Sequence, residues 1–289
     1  MTAEHHAVVV GGGIAGLAAA VSLVQEGWTV TVLERERAFT EVGAGLTITP
    51  NGMSALASIG VDAAVRHAGF RVRMAGTTDE HGSWLVRLPR ADATGPGQDV
   101  YGIHRQDLHG ALLTAARGVE LVSGARVISV TPGTPGGARA RVDCRGAAGA
   151  TSYDADLVVG ADGLRSIVRS LLAPGPVPRF SGKSSWRGIV TDSALVTEDF
   201  TVRWGPGTEF GAVRIGANRV YWYGYTSSDE GQRRPDEKTA ALHHFTGWAD
   251  PVRPLIDRTP TDQVMRHDVY DLAPHLGTYV HGRVVLVHA

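Results

Sequence analysis

Apolar positions along the chain follow two periods. Ala7–Val10 is a short, uninterrupted, valine-rich run, the pattern of a strand buried on both faces. Gly11, Gly12 and Gly13 follow as a turn. Ile14, Leu17, Ala18 and Val21 then recur at helical spacing as far as Gly27. Thr29–Leu33 reads as a second strand, closed by Glu34. The unit runs over about 28 residues, the length of a right-handed strand–helix–strand crossover. Asn51–Ile59 is predicted helical with Gly60 as its stop, Phe70–Leu88 is strand-like, and Arg90–Asp99 is a loop rich in proline and glycine. Asp107–Arg117 is predicted helical, with Leu108, Leu112 and Ala115 or Ala116 on one face. Leu121–Val130 and Ala138–Cys144 predict two strands joined by a Gly/Pro turn. Leu157–Gly160 repeats the buried-strand pattern, and Leu164–Leu172 is a short helix stopped by Pro174. From Ser181 to about Tyr225 helical periodicity disappears, and aromatic and β-branched residues alternate with arginine and glycine. Pro235–Asp250 is helical again, and Arg283–Val287 is a last buried strand. This order predicts an α/β fold: a doubly wound, mainly parallel, Rossmann-like sheet carrying an inserted antiparallel β lobe.

Composition narrows the function classes. At 289 residues the chain buries a core without disulfide or metal staples. Lysine plus arginine (28) nearly balances aspartate plus glutamate (29), so no global basic field exists to hold nucleic acid or an anionic membrane. Cys144 is the one cysteine, which excludes a disulfide within the chain and an all-cysteine zinc site, and fits a reducing cytoplasm. Ala7–Val24 carries no charge over 18 residues, near the lower limit of a membrane span. Gly11, Gly12, Gly13 and Gly16 interrupt it, however, and Met1–His6 has no lysine or arginine to serve as a signal-peptide head. A buried strand, turn and helix is the expectation, with no membrane span.

Three motifs carry chemistry. The first is Gly11-x-Gly13-x-x-Gly16, placed after a strand and before a helix. A pyrophosphate needs close backbone approach and the positive end of a helix behind it. Glu34, at the end of the next strand, accepts the hydroxyl protons of an adenosine ribose and repels a 2′-phosphate, so FAD and NAD both remain open and NADP does not. The second is Asp162-Gly163, which follows a buried strand and so lies at the same sheet edge. A helix-capping aspartate is the plainer reading of Asp162, and Arg165 and Arg169, four apart, are either a solvated helix face or an anion contact. The third is His104-Arg105-Gln106-Asp107-Leu108, which opens a helix. Arg105 there either binds a long cofactor or is a surface arginine beside a cap. The adjacent pairs His5-His6 and His243-His244 have poor geometry for a metal, and no nucleophile elbow or paired-carboxylate pattern stands out.

Together with Glu34-Arg35 and Glu41-Val42-Gly43-Ala44-Gly45, these motifs resemble the single-component FAD-dependent aromatic monooxygenases, in the branch similar to salicylate, 3-hydroxybenzoate and urate hydroxylases. Ser185-Trp186-Arg187-Gly188 and Trp204-Gly205-Pro206-Gly207 resemble substrate-lobe motifs of that branch. The resemblance implies that Gly11, Gly13 and Gly16, with Ile14 and Ala15 of the same turn, cradle the FAD pyrophosphate. It implies further that Glu34 holds the adenosine ribose, Arg35 lies beside the adenine and Gly45 lines the flavin region. Arg105 would contact the ribityl–pyrophosphate stretch. Asp162 would serve FAD and the use of NADH or NADPH as transient reductant. The implied reaction hydroxylates or epoxidises a small aromatic, polycyclic or polyketide-like molecule with O₂ through a flavin C4a-hydroperoxide.

The implied division assigns 1–72, 101–178 and 271–289 to the FAD-binding part, and 73–100 and 179–270 to the substrate lobe. A monomer or homodimer in the cytoplasm is expected, with no metal. Pocket candidates on the lobe are Trp186, Arg187, Arg203, Arg214, Tyr221 and Tyr223. Tyr221 and Tyr223 share one face of a strand and Trp222 takes the other. The family continues past its last strand into a Gly-Asp stretch, whereas Arg283–Val287 here runs into His288 and Ala289. A fragment of a longer protein is therefore one expectation. An inert flavin-binding piece completed by a partner and a flavin-dependent reductase on the same scaffold are the alternatives, with a simple NAD-dependent dehydrogenase the weakest.

Overall fold

The computed structural model describes residues 5–40, 43–89, 99–147, 149–173, 175 and 177–287. Glu41 and Val42 of the Glu41–Gly45 motif, all of the predicted Arg90–Asp99 loop except Asp99, the Pro174 stop and the terminal His288 and Ala289 lie outside the described residues.

The valine-rich runs become the centre of a six-stranded sheet. β1 (His6–Val10) pairs in parallel with β2 (Thr29–Leu33) on one side and with the strand Leu157–Gly160 on the other. Glu120–Val122 extends the sheet beyond β2, Val284–Leu286 extends it on the far side, and Val280–His281 closes that edge antiparallel. α1 (Ile14–Gln25) is the crossover between β1 and β2, as the periodicity predicts. Both faces of β1 are covered, which is why its sequence shows no alternation. Ala7 and Val9 face α1 together with Ala20. Val8 and Val10 face a three-stranded antiparallel meander (Arg126–Thr131, Ala140–Gly146, Gly149–Ala155) in a core that also buries Cys144.

The lobe is a seven-stranded sheet in the order Met265–Ala273, Val177–Val190, Arg219–Ser227, Thr208–Gly216, Phe200–Gly205, Met74–Asp79, Trp84–Arg87. All pairings are antiparallel except that of Phe200–Gly205 with Met74–Asp79. One face packs on the helices Glu237–His244 and Val252–Arg258 through Trp186, Phe210, Trp222, Phe245, Leu255 and Ile256. The other meets a small sheet made of β3 (Gly45–Ile48), Val100–His104 and Phe70–Val72.

Several boundaries differ from expectation. Leu121–Val130 is two strands in different sheets, because Gly124 (φ 69°) turns the chain between them. The helix expected from Asp107 starts at Arg105, with His104 as its cap. The helix expected from Leu164 starts at Ile167. The predicted helix Pro235–Asp250 is Glu237–His244, where Asp236 caps the backbone N–H of Thr239 at 3.0 Å. The helices Asp62–Ala68 and Val252–Arg258 and the strands Gly149–Ala155 and Met265–Ala273 are additions to the expected elements.

Candidate functional site

A cavity of about 1050 Å³ opens at the carboxyl ends of β1, β2 and Leu157–Gly160, the edge at which open α/β sheets bind ligands. The glycine turn forms one wall. Gly11 sits at φ 107° and donates its N–H to Leu33 O at 2.8 Å; a Cβ there would overlap the carbonyl of Ala161. A Cβ on Gly16 would overlap the carbonyl of Gly11, so the strand-to-helix turn closes only with both positions bare. No side chain caps the amino end of α1 and no acid occupies its first turn. Gly13, Ile14 and Ala15 line the cavity there, so the positive end of the helix faces it.

Glu34 lines the same cavity and is already fixed in place. One carboxylate oxygen accepts Gly12 N–H at 2.7 Å and the other accepts Glu36 N–H at 2.8 Å. Arg35 lies beside it, its Nε 3.4 Å from Glu36 Oε1. Arg105 lines the cavity from the helix Arg105–Ala115, and its backbone N–H donates to Ala44 O at 2.8 Å.

Asp162 lines the cavity too, but it is not the N-cap that the plainer reading expects: that residue is Ser166, whose Oγ accepts Arg169 N–H at 2.9 Å. The Asp162 carboxylate supports the same helix end from upstream, accepting Ser166 Oγ at 2.5 Å, Ile167 N–H at 2.6 Å and Val168 N–H at 3.2 Å. Arg165 and Arg169 do not share a helix face, because the helix starts after Arg165. Arg165 lines the cavity and sits 5.6 Å over the Tyr270 ring. Arg169 is 1% exposed and donates to Leu164 O at 2.8 Å, so it is neither solvated nor in the cavity.

Two cofactor candidates stand off the cavity wall. Gly16 acts through the turn. Gly45 begins β3 and lies against Tyr221 of the lobe, where a Cβ would overlap the ring. Other residues of the site escaped the sequence reading. His109 is buried and its Nε2 donates to Gly12 O at 2.8 Å, locking the turn. It lies four residues after Arg105 on the same helix, a spacing that was readable. Phe39 lines the cavity over Gly12, and Arg126 enters it from behind the Gly124 turn; neither belongs to a recognisable pattern.

The six lobe candidates separate. Tyr221, Tyr223 and Arg187 share the face turned toward the small sheet, with Arg187 directly opposite Tyr223. Burial pushes the Tyr221 phenol up to about 12. Burial and the neighbouring Glu209 carboxylate, which accepts the Tyr223 hydroxyl at 3.0 Å, raise Tyr223 as well. Both phenols are neutral hydrogen-bonding groups at ordinary pH. The Arg187 Nε donates to Ser185 Oγ at 3.5 Å. Trp186 is on the opposite face, where its Nε1 donates to Glu237 Oε2 at 2.8 Å among His244 and Phe245. Arg203 is buried and ties Asp250 O (2.7 Å) to the sheet. Arg214 donates to Ala217 O at 2.9 Å and lies 4.1 Å over the Phe70 ring. Trp186 and Arg203 tie the sheet to the segments on its helix-covered side, whereas Arg214 reaches the small sheet through Phe70, which packs in one cluster with Tyr221 and Tyr223. His244 Nε2 bonds with Thr208 Oγ1 at 3.0 Å, and among the described residues no group of three side chains is arranged to hold a metal.

A bare glycine turn, an uncapped helix end and a preset acid fit a dinucleotide, and the sheet topology defines a two-part nucleotide-binding α/β protein. Comparison with known proteins extends this. A family described as "FAD binding domain" matches residues 4–266. The aurachin C monooxygenase/isomerase of Stigmatella aurantiaca is 38% identical over 283 residues, covering 97% of this chain and 72% of that protein. The FAD-dependent urate hydroxylase of Mycolicibacterium vanbaalenii is 29% identical over 290 residues, covering 97% and 71%. Among solved structures, Klebsiella pneumoniae HpxO complexed with FAD and uric acid matches with a TM-score of 0.84 at 26% identity, over 99% of this chain and 73% of that one. The chain belongs to the FAD-binding domain family. It is an FAD-dependent oxidoreductase of the monooxygenase type.

Proposed function

We propose that the chain uses NADH or NADPH and O₂ to place one oxygen atom on a small, electron-rich aromatic or polycyclic molecule. The observation that carries this reading is the convergence of Gly11, Gly13, Glu34, Arg105 and Asp162, far apart in sequence, on one cavity. Bound FAD supplies the oxygen-activating redox chemistry. Gly11, Gly13, Ile14, Ala15 and Gly16 admit the pyrophosphate to the backbone and helix end. Glu34 and Arg35 take the adenosine end, Arg105 and Asp162 the middle of the cofactor, and Gly45 the flavin end at the junction with the lobe. The six-stranded sheet with its helices and meander serves the cofactor, and the seven-stranded sheet, with Val177–Val190 and Met265–Ala273 taken whole, serves the substrate, so the boundaries expected after 178 and 270 move to the ends of those two strands.

The substrate lies against the face bearing Arg187, Tyr221 and Tyr223. There the Tyr221 phenol donates a hydrogen bond, the Tyr223 hydroxyl, its proton given to Glu209, accepts one, and the guanidinium favours a phenolate or other electron-rich anionic form of the ring. The names of the relatives, aurachin C monooxygenase and urate hydroxylase, support a fused or nitrogen-containing ring. A cytoplasmic setting suits the single buried thiol, and among the described residues no helix is long and apolar enough to cross a membrane.

The test is a flavin titration of the purified chain, followed by NADH- and NADPH-dependent turnover on a panel of hydroxylated and nitrogen-containing aromatics. A yellow protein and a product heavier by one oxygen atom are expected. A product heavier by two hydrogens would assign a reductase instead, and a chain that stays colourless in excess FAD would refute the cofactor assignment.

A further inference from the structure

We propose that Arg219 is a positioning residue that registers the substrate-facing sheet on the cofactor cavity through its ion pair with Asp107. Arg219 opens the strand Arg219–Ser227, two and four residues before Tyr221 and Tyr223. Its guanidinium donates to Asp107 Oδ2 at 2.6 Å, joining residues 112 apart in the chain. Asp107 lies in the first turn of the helix Arg105–Ala115, whose first residue lines the cavity.

The contacts close a circuit. Arg219 holds Asp107; the same helical turn carries Arg105; the Arg105 N–H holds Ala44 O at 2.8 Å; Gly45 follows and abuts Tyr221, on the strand that Arg219 begins. The lobe strand therefore touches the cofactor side at two points that are themselves tied together. The strand Val100–His104, which leads into this helix, also meets the lobe, with Gly102 against the Arg214 carbonyl. The ion pair adds a tie on the helical turn itself, and with Arg219 gone that turn shifts within this frame and carries Arg105 with it.

The path of the Arg219 side chain is itself prepared. Gly216 is its partner across the hairpin, and a Cβ there would come within 3.1 Å of Arg219 Nε, so the side chain crosses a bare Cα. Both side chains of the pair are about a third exposed (36% and 33%). An ion pair that open to water adds little stability, so its consequence falls on geometry.

This inference rests on the assignment of the cavity to FAD, and the experiment separates the two. FAD is titrated into the unaltered chain and its variants by flavin fluorescence, with thermal unfolding recorded alongside. R219Q is expected to raise the FAD Kd about two- to fivefold, although Arg219 does not line the cavity. D107N should match it, the double variant D107N/R219Q should be no worse than either, and R219K should recover part of the loss. In an R105Q background R219Q should add nothing, because its effect passes through Arg105; a general loosening of the fold would instead multiply with R105Q. An R219Q chain with unaltered FAD affinity, or R219Q and R105Q effects that multiply, would overturn the proposal. Should R219Q fail to fold, D107N in the two backgrounds gives the same reading. Absence of FAD binding by the unaltered chain would refute the cavity assignment itself.

Discussion

The cofactor cavity and the substrate-facing sheet are made of different material. The cavity is backbone: two bare glycine positions, a helix end, and an acid pinned by two main-chain N–H groups. The sheet face is side chain: Tyr223 held by Glu209, Arg187 beside Ser185, and Tyr221 over Gly45. A backbone wall accepts one shape of ligand and tolerates no added carbon. A side-chain wall can be re-lined on unchanged strands, so one scaffold can keep its cofactor while it changes substrate.

The sharpest way to break this contrast is Gly16→Val. Its side chain would meet the Gly11 carbonyl, which cannot yield without opening the turn. A loss of roughly 3 kcal/mol or more is expected in urea unfolding, together with loss of FAD. Near-native stability in that variant would show that the turn is not closed by bare backbone.

The next effect concerns the lobe alone. Burial raises the Tyr221 phenol from 10.0 to about 12, with nearby Arg187 pulling the other way. The unfolded chain therefore ionises first. The stability this group contributes is full below about pH 10 and is lost as pH rises through about 12. Tyr221→Phe should flatten the stability curve across that window by an amount on the order of 2 kcal/mol. Identical alkaline unfolding curves would place the ring in water.

Glu34→Ala comes third. It should weaken FAD binding by roughly 1–3 kcal/mol and cost about 1 kcal/mol or more in unfolding, because the Gly12 and Glu36 N–H groups lose their charged acceptor. An unchanged dissociation constant would remove Glu34 from the site. Tyr223→Phe is the mildest, costing about 1 kcal/mol of stability and leaving FAD affinity alone. Glu209 keeps its second partner, the Trp204 Nε1 at 3.0 Å. A matching loss of FAD affinity would blur the division between the two walls.

The same contrast explains what could be read in the sequence. Backbone requirements appear as glycine spacing and as strand-end position, so Gly11, Gly13, Glu34, Arg105 and Asp162 could all be picked out in advance, and the structure brings them to one cavity. Side-chain walls leave no such trace. Alternation separates Trp222 from Tyr221 and Tyr223, but it does not say which face the helices cover. Leu255 and Ile256 decide that from a helix more than 20 residues downstream of the strand. Hence Trp186 and Arg203 looked equivalent to Arg187. Leu121–Val130 misled for a related reason, since apolar content persists across the Gly124 turn while the chain changes sheets.

Cys144 turns one part of the core into its own reporter. The thiol is 3% exposed, and burial pushes its pKa up, with the Asp143 charge adding to the effect. A reagent that attacks only solvated thiolate reaches it when the meander lifts from the parallel strands. Labelling rate, divided by that of a free thiol, then measures the opening equilibrium of that layer. Because the chain has no second cysteine, the readout is single-valued. Any ligand that binds only the closed form must slow it by the factor its own affinity dictates.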